Sequence, residues 1–240
     1  MFQGKKRMVN TKGFDKKKIA ESIEVLWEPL SEEERQYLLD NIDIRVFKKN
    51  EVIYHKGEKP RYFRCLLEGK VKVYIDGTGG RQIVRLIKDM GFFAYRAAFA
   101  GETFKTEASA FETSVICQIP FPVIWKLIET NSSLAIFFIK QLATMVGETD
   151  LLVISLTQKH IRGRLAESLL KLKDKYGVEE DGSTLSIYLS REDLANMSNM
   201  TTSNAIRTLS SFATEDLIAI DGRKIKIIDS EKLRKISNMG

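Results

Sequence analysis

The chain has 240 residues, of which 43% are apolar and 29% charged, a composition typical of a soluble globular protein. Its apolar runs are too short for a transmembrane helix, and its start lacks the apolar segment of a signal peptide. The net charge of +6 arises within residues 1–18, which carry seven Lys/Arg and one Asp. Net charge therefore does not predict nucleic-acid binding by the folded body. We interpret residues 1–18 as a basic, mobile tail.

The chain has two cysteines, Cys65 and Cys117, which are far apart and lack CxxC spacing. This usage suits a reducing cytoplasm and disfavours a disulfide framework. It also excludes an iron–sulfur cluster, which needs about four cysteine ligands. Both cysteines lie in apolar segments and are predicted to be core residues. No nucleophile–base pair, Walker loop or HExxH motif is visible, so we predict that the protein is not an enzyme.

Residues 19–130 form the first predicted domain, and they are rich in short β segments. The sequence SEEERQYLLDNI indicates a helix capped by Ser31, with Glu34 completing a capping box. Further along, DGTGG (76–80) reads as a hairpin turn. Four segments carry the β-branched and aromatic residues typical of strands. They are residues 52–57, 63–75, 81–87 and 114–120.

A long helix is predicted next, over about 133–155, within a segment at 131–156 that we assign to dimerisation. Apolar residues, with one Thr among them, follow each other at spacings of four and three. Such heptad spacing is typical of a helix that packs against a partner helix. Packing of the helix on its own domain remains the alternative. The stripe consists of Phe138, Leu142, Met145, Thr149, Leu152 and Leu156.

Residues 157–240 form the last predicted domain. After a helix that ends near Tyr176 with Gly177 as its cap comes LSREDLANMSNMTTSNAIRTLSSF (189–212). Ser190 caps a first short helix and Thr201 or Thr202 a second one. The segments of LIAIDGRKIKIID that follow are joined through Asp-Gly, a strong hairpin signal. Helix, short turn, helix and hairpin together predict a winged helix-turn-helix.

The second of these helices has low intrinsic helix propensity, so its apolar face must be held by packing. That face is predicted to contain Ala205, Ile206, Leu209 and Phe212. The opposite face carries hydroxyls, an amide and Arg207, where an ordinary solvated helix would carry Lys–Glu pairs. Hydroxyls and amides can bond to phosphates or base edges, and arginine can bind guanine through two hydrogen bonds. We therefore predict binding to double-stranded DNA.

The chain resembles the Crp/Fnr family of bacterial transcription regulators over nearly its whole length. KKNEVIYHKGEKPRYFRCLLEGKVKVYIDG is similar to the family's cyclic-nucleotide-binding β-roll, with Gly57 and Gly69 at its turns. The helix at 133–155 stands where the family has its dimer helix, and IAIDGRKIKII is similar to its wing. The resemblance implies an α+β fold, with an N-terminal double-stranded, jelly-roll-like β-roll, a long dimerisation helix and a C-terminal winged helix-turn-helix.

The resemblance also implies roles for individual residues. Ser190 and Arg191 match positions that usually contact the DNA backbone, and Arg207 matches the base-reading arginine. Many members have Glu where this chain has Ser203, so the usual half-site is not expected here. Further base-contacting positions are implied at Thr202, Ser203 and Asn204.

The sensor segment MGFFAYRAAFAGETFKTEASAFE (90–112) departs from the cyclic-AMP-binding members. Arg96 stands where they carry the Glu for the ribose hydroxyls. Phe104, or Thr106 with a different loop gap, stands at the phosphate-binding Arg. A ribose diol wants a carboxylate and a cyclic phosphate wants a cation, so cyclic AMP is not expected to bind tightly. The candidate effector pocket is Tyr95, Arg96, Phe104, Lys105 and Thr106.

Other effectors and roles stay open at this point. Arg96 with Lys105 suits another anion, unless both are simply exposed, and His55 or His160 leaves a haem-based gas sensor as an alternative. The cofactor is therefore unknown. We expect a cytoplasmic homodimer that binds DNA and, if it is an activator, RNA polymerase. Residues 157–160 would be the hinge that transmits the sensor's state. In another interpretation, the helix-turn-helix of a ligand-binding module mediates protein contacts.

Overall fold

The computed structural model describes residues 14–77 and 80–239. Most of the predicted basic tail lies outside these residues. Its last part is helical, because Asp15 accepts hydrogen bonds from the backbone N–H groups of Lys17 and Lys18 and so caps a helix that begins at Lys16. The predicted capping box is confirmed by the backbone N–H of Ser31, which donates to Glu34 at 2.8 Å. Three helices precede the strands: α1 (Lys16–Ser22), α2 (Glu24–Trp27) and α3 (Glu32–Asn41).

Two four-stranded antiparallel sheets make up the sensor domain within the described residues. One has the order β1-β8-β3-β6 and the other β2-β7-β4-β5. Apolar side chains from both sheets pack between them, as expected for a β-roll. The strands are β1 (Asp43–Phe47), β2 (Val52–Tyr54), β3 (Tyr62–Glu68), β4 (Val71–Gly77), β5 (Gly80–Ile87), β6 (Gly91–Phe93), β7 (Glu107–Ala110) and β8 (Ser114–Pro120).

The predicted segment 63–75 is two strands, because the chain turns at Gly69. This residue has φ of 103°, a conformation that L side chains rarely adopt. A Cβ here would also lie 2.6 Å from the hydroxyl of Ser114. The sharp turn lets β3 join one sheet while β4 joins the other. The predicted turn at 76–80 lies partly outside the described residues, but β4 and β5 pair on either side of it, with Gly77 opposite Gly80.

The long helix is α6 (Ser132–Gln158), which follows α4 (Arg96–Phe99) and α5 (Phe121–Thr130). The structure packs the first half of the predicted dimer stripe on the β-roll. Phe138 is 2% exposed and packs its ring edge-on against Phe63 of the β-roll at 5.3 Å. Met145 is also buried there, and Leu142 packs against the same core. The hydroxyl of Thr149 bonds to the backbone of its own helix, at 2.8 Å. Leu152 and Leu156 line a groove between α6 and the last domain.

The first half of the predicted stripe, Phe138 to Met145, therefore packs on the chain's own sensor domain, as in the alternative interpretation of the heptad spacing. A second apolar stripe on α6 is exposed. It contains Ile136, Ile139, Val146 and Val153, at spacings of three, seven and seven, so it follows one face of the helix. Heptad spacing alone does not distinguish these two stripes, because one long helix carries both.

The last domain has the predicted winged helix-turn-helix, followed by an additional helix that the sequence pattern did not reveal. No described helix is long and apolar enough to cross a membrane. The elements are α7 (Ile161–Tyr176), α8 (Arg191–Met197), α9 (Thr202–Thr214), β9 (Ile218–Asp221), β10 (Lys224–Ile227) and α10 (Ser230–Asn238).

The sensor and the last domain share one apolar cluster. Tyr74, Ile83 and Leu86 of the β4–β5 hairpin pack in the same cluster as Leu194 of α8. Beside it, the Lys72 ammonium lies 3.0 Å from a carboxylate oxygen of Asp193. The helix-turn-helix is thus docked on the sensor through both apolar and ionic contacts.

Candidate nucleic-acid interface and effector pocket

Local caps shape the helix-turn-helix. The Ser190 hydroxyl accepts from the backbone N–H of Asp193 at 3.0 Å and donates to its carboxylate at 2.6 Å. Thr201 caps α9 by accepting from the backbone N–H of Asn204 at 3.2 Å. Between the helices Asn199 has φ of 49°, which asparagine tolerates better than most residues. These short side chains explain why the segment forms two helices despite its low propensity.

Arg164 of α7 fixes the turn, a role that sequence reasoning missed. Its guanidinium donates to the backbone carbonyls of Ser198 at 2.8 Å and Asn199 at 3.0 Å. It also donates to the backbone carbonyl of Lys159 at 2.8 Å, within the predicted hinge at 157–160. Burial lowers the pKa of this arginine. One side chain thus connects the hinge to the turn in front of α9.

The polar face of α9 is open to solvent. Thr202, Ser203 and Arg207 are exposed, and Asn204 is half-buried. The Arg207 guanidinium donates to the side-chain oxygen of Asn204 at 2.5 Å, which orients it along the helix surface. As predicted, Ala205, Leu209 and Phe212 are buried beneath this face. Ile206 was placed on the apolar face, but it is 48% exposed at the edge of the polar one.

The two predicted backbone-contacting residues already have partners within the domain. Arg191 donates to the backbone carbonyl of Gly222 at 2.8 Å and so ties α8 to the turn of the wing. The Ser190 hydroxyl is engaged in the cap of α8. Arg223, next to Gly222, is exposed at the tip of the wing. Sequence reasoning did not single it out, although its position in the predicted hairpin turn was visible.

All five residues of the predicted effector pocket line one small cavity of about 60 Å³ in the sensor domain. The rings of Tyr54 and Phe104 stack with centroids 3.9 Å apart. The Tyr54 hydroxyl lies 3.4 Å from that of Thr106. Sequence reasoning missed Tyr54, Arg85 of β5 and Met145 of α6, which also line the cavity. These residues are far apart in sequence, so only the fold brings them together.

The cavity is cationic. Arg85, Arg96 and Lys105 line it, and no carboxylate does so among the described residues. Arg96 pairs with Glu102 at 3.2 Å on its outer side. Burial raises the pKa of Tyr54, while its hydrogen bond with Thr106 and then the charge of Arg85 oppose that shift.

The alternative sensor chemistries gain no support from the geometry. His55 and His160 are both exposed, and neither lines the cavity. Cys65 and Cys117 are fully buried, as predicted, and burial raises the pKa of both thiols. Within residues 14–77 and 80–239 no three His, Cys, Asp or Glu side chains are grouped in a way that could hold a metal ion.

A β-roll, a long helix and a winged helix-turn-helix together define a class of DNA-binding regulators. Comparison with known families agrees with this architecture. Residues 44–131 match the cyclic nucleotide-binding domain, and residues 163–236 match the Crp-like helix-turn-helix domain. Together the two ranges cover more than half of the chain.

Named relatives are transcription regulators. Electron transport regulator A of Shewanella oneidensis is 25% identical over 195 residues, 79% of this chain and 76% of the relative. The cAMP-activated global transcriptional regulator CRP of Pasteurella multocida is 22% identical over 194 residues, 80% of this chain and 93% of the relative. The solved structure of FixK2 from Bradyrhizobium japonicum superposes with a TM-score of 0.74 at 20% identity, covering 81% of this chain and 96% of that one.

The chain belongs to the Crp/Fnr family of transcription regulators. Regulators of this family bind DNA and act as dimers. The predicted fold class and the predicted function as a DNA-binding transcription regulator are thereby confirmed.

Proposed function

We propose that this chain works in the cytoplasm as a homodimer, which places two copies of α9 in successive major grooves of its operator. The open polar face of α9 supports this most directly. Its hydroxyls, its amide and Arg207 form no Lys–Glu network, so they are free to exchange water for DNA groups. If the protein is an activator, RNA polymerase is a further partner.

Each exposed residue of the interface has a role in this proposal. Arg207 reads a guanine, with Asn204 holding its guanidinium in place. Thr202 and Ser203 contact bases or phosphates at the N-terminal end of α9. Ile206 packs against a thymine methyl group, since it is apolar and exposed beside Arg207.

Phosphate contacts would lie on both sides of α9. Ser190 and Arg191 face the backbone at the start of α8. Because Arg191 is held by the wing turn, it would position the wing as well as attract phosphate. Arg223 at the tip of the wing supplies a further cation.

The dimer forms, in this proposal, through the exposed stripe of α6, defined above as Ile136, Ile139, Val146 and Val153. An exposed apolar stripe with seven-residue repeats is typical of a coiled-coil seam. This assignment replaces the stripe that begins at Phe138, whose first half is occupied by the β-roll.

Cyclic AMP is not the effector in this proposal. The Pasteurella relative is named as cAMP-activated, but the pocket of this chain is lined by Arg96 and Phe104 and is bordered by the Tyr54–Phe104 stack. Titration calorimetry should show no tight complex. Saturable binding of about micromolar affinity or tighter would contradict this part of the proposal.

The experiment that tests DNA binding is selection of duplexes from fragmented genomic DNA of the source organism, followed by titration at several salt concentrations. We expect a two-fold symmetric site and an affinity that falls steeply with salt, because phosphate contacts release counterions. If no duplex is enriched and affinity does not depend on salt, the helix-turn-helix serves protein contacts instead.

Dimerisation is tested by Ile139→Glu, with Thr144→Glu as the matched control on another exposed face of α6. Glutamates facing each other in the seam should give monomers and weaken operator binding, whereas the control should remain dimeric. Sedimentation of Ile139→Glu as an intact dimer would place the interface elsewhere.

A further inference from the structure

Arg85 occupies an unusual position between two cavities. It is half-buried on β5, lines the small sensor cavity, and also lines a larger groove of about 570 Å³ between β5, α6 and α7. Neither Arg85 nor Lys105 forms an ion pair within the described part of the chain. A half-buried guanidinium without a counterion is costly, so a bound anion would stabilise it.

Hydrogen-bonding groups surround the same small cavity. The hydroxyls of Tyr54 and Thr106 lie 3.4 Å apart at its wall, and both can donate to an anion. Arg96 lines the cavity while its outer side bonds to Glu102. The donors therefore come from four separate segments: β2, β5, the start of α4 and the loop before β7.

The size of the cavity limits the ligand. Pockets for drug-sized molecules typically measure about 300–1,000 Å³, whereas this cavity measures about 60 Å³. The Tyr54–Phe104 stack fills space next to it. A molecule with a few heavy atoms fits without rearrangement, and a nucleotide does not.

We propose that the sensor cavity binds a small dianion, which Arg85 and Arg96 hold from opposite segments while the hydroxyls of Tyr54 and Thr106 donate to it. The inference rests on the proposed function in taking this cavity as the effector site. The ligand's class is a doubly charged oxyanion, either inorganic or a short dicarboxylate. Because such a ligand has no ribose, the cavity needs no carboxylate to accept hydrogen bonds from ribose hydroxyls.

Regulation follows from the shared position of Arg85. The larger groove is lined by carboxylates, among them Glu148 of α6, and by further cations, among them Lys175 of α7. A dianion in the sensor cavity neutralises the positive charge that Arg85 places at the border of both spaces. The electrostatic field at α6, which carries the exposed stripe, and at α7, which packs against α8 and α9, then changes when the cavity is occupied.

Calorimetric titration of the full-length protein tests this inference. The probes are inorganic phosphate, malonate, succinate and glutarate, each against sodium chloride of equal ionic strength. We expect saturable binding of at least one dianion. Phosphate alone would indicate an inorganic ligand, and a preference for one dicarboxylate length an organic one. Arg85→Gln should weaken that binding by about tenfold or more, because a charge-assisted contact is lost.

The matched control is Arg81→Gln, on the same strand but paired with Asp76 and outside the cavity. It should bind the dianion like the unchanged protein. Absence of saturable binding for all four probes would overturn the inference, as would equal binding by Arg85→Gln and the unchanged protein. Operator binding, measured on the same samples, separates the outcomes. If the unchanged protein binds DNA but no dianion, the inference is refuted and the proposed function stands. If the unchanged protein does not bind DNA, the proposed function is refuted.

Discussion

The recognition helix and the sensor pocket hold their polar groups in opposite ways. On α9, Thr202, Ser203 and Arg207 are exposed and hydrated before DNA arrives. In the sensor, Arg85 lies partly buried beside a cavity bordered by the Tyr54–Phe104 stack. Exposed groups cost little until they are desolvated, whereas an enclosed cation is unfavourable without a counterion. In the proposed function, the polar face of α9 therefore binds DNA as it stands, whereas the pocket responds to a ligand.

The two regions are nevertheless in mechanical contact. The Lys72–Asp193 ion pair joins β4 to α8, and Gln82 of β5 donates to the backbone carbonyl of Met197 at 3.4 Å. Arg85 lies on the same strand β5. A shift of this strand would therefore reach the helix-turn-helix directly, without passing along α6.

Removing an aromatic ring from the sensor pocket should have the largest effect, a loss of unfolding free energy. Phe104→Ala removes a buried ring that stacks on Tyr54, and such substitutions typically destabilise by about 3–5 kcal/mol. Denaturant unfolding followed by fluorescence measures this loss. Tyr188→Ala, an aromatic truncation at a position 38% exposed in the other domain, should cost less than about 1 kcal/mol. Equal losses of unfolding free energy in the two variants would show that the Phe104 ring is not packed in the sensor as described.

A change on the open face should affect binding and leave folding unaltered. Arg207→Ala should lower discrimination between the operator and a scrambled duplex by about 1–3 kcal/mol, since one two-pronged base contact is lost. Because Arg207 is exposed, the unfolding midpoint should not move. Fluorescence anisotropy with both duplexes measures the discrimination. The control, Thr214→Ala near the other end of α9, should retain it, and full discrimination by Arg207→Ala would mean that this arginine does not read a base.

The two regions also differ in how far the sequence predicts them. The helix-turn-helix depends on neighbours three or four positions apart, such as Ser190 with Asp193 and Thr201 with Asn204. Local spacing therefore predicts its helices to within about two residues. Ile206 was misplaced because it lies at the boundary between the two faces, where spacing does not determine exposure.

The pocket depends instead on contacts between distant segments. Tyr54 and Phe104 lie 50 positions apart, and Arg85 comes from a third segment, so no local pattern connects them. The long helix shows a related limit. Its two apolar stripes have the same repeat, and it takes tertiary packing, such as that of Phe138 on Phe63, to show which one faces the chain's own sensor.

Breaking the Lys72–Asp193 ion pair between the sensor and the helix-turn-helix should have a smaller effect on the unfolding free energy. The side chains of Lys72 and Asp193 are 11% and 14% exposed, so they are only weakly screened by solvent. A double-mutant cycle with Lys72→Met and Asp193→Asn should give a coupling of at least about 0.5 kcal/mol in unfolding free energy. The half-exposed pair of Arg81 with Asp76, analysed with Arg81→Gln and Asp76→Asn, should couple more weakly, because surface pairs contribute about 0–1 kcal/mol. The reverse order would mean that the interdomain ion pair does not hold α8 on the sensor.

The smallest effect is expected for a thiol reagent, which should not modify either cysteine in the folded protein. Cys117 is fully buried, and burial raises its pKa to about 12, while burial also raises the pKa of Cys65. Reaction with a thiol reagent needs the thiolate and access to it. At neutral pH the native protein should therefore leave both thiols unmodified over the time in which denatured protein reacts fully. Mass spectrometry after timed quenching counts the modified thiols. Rapid labelling of Cys65 or Cys117 in native protein would show that the β-roll opens readily, and the description of the sensor as a closed region would then be wrong.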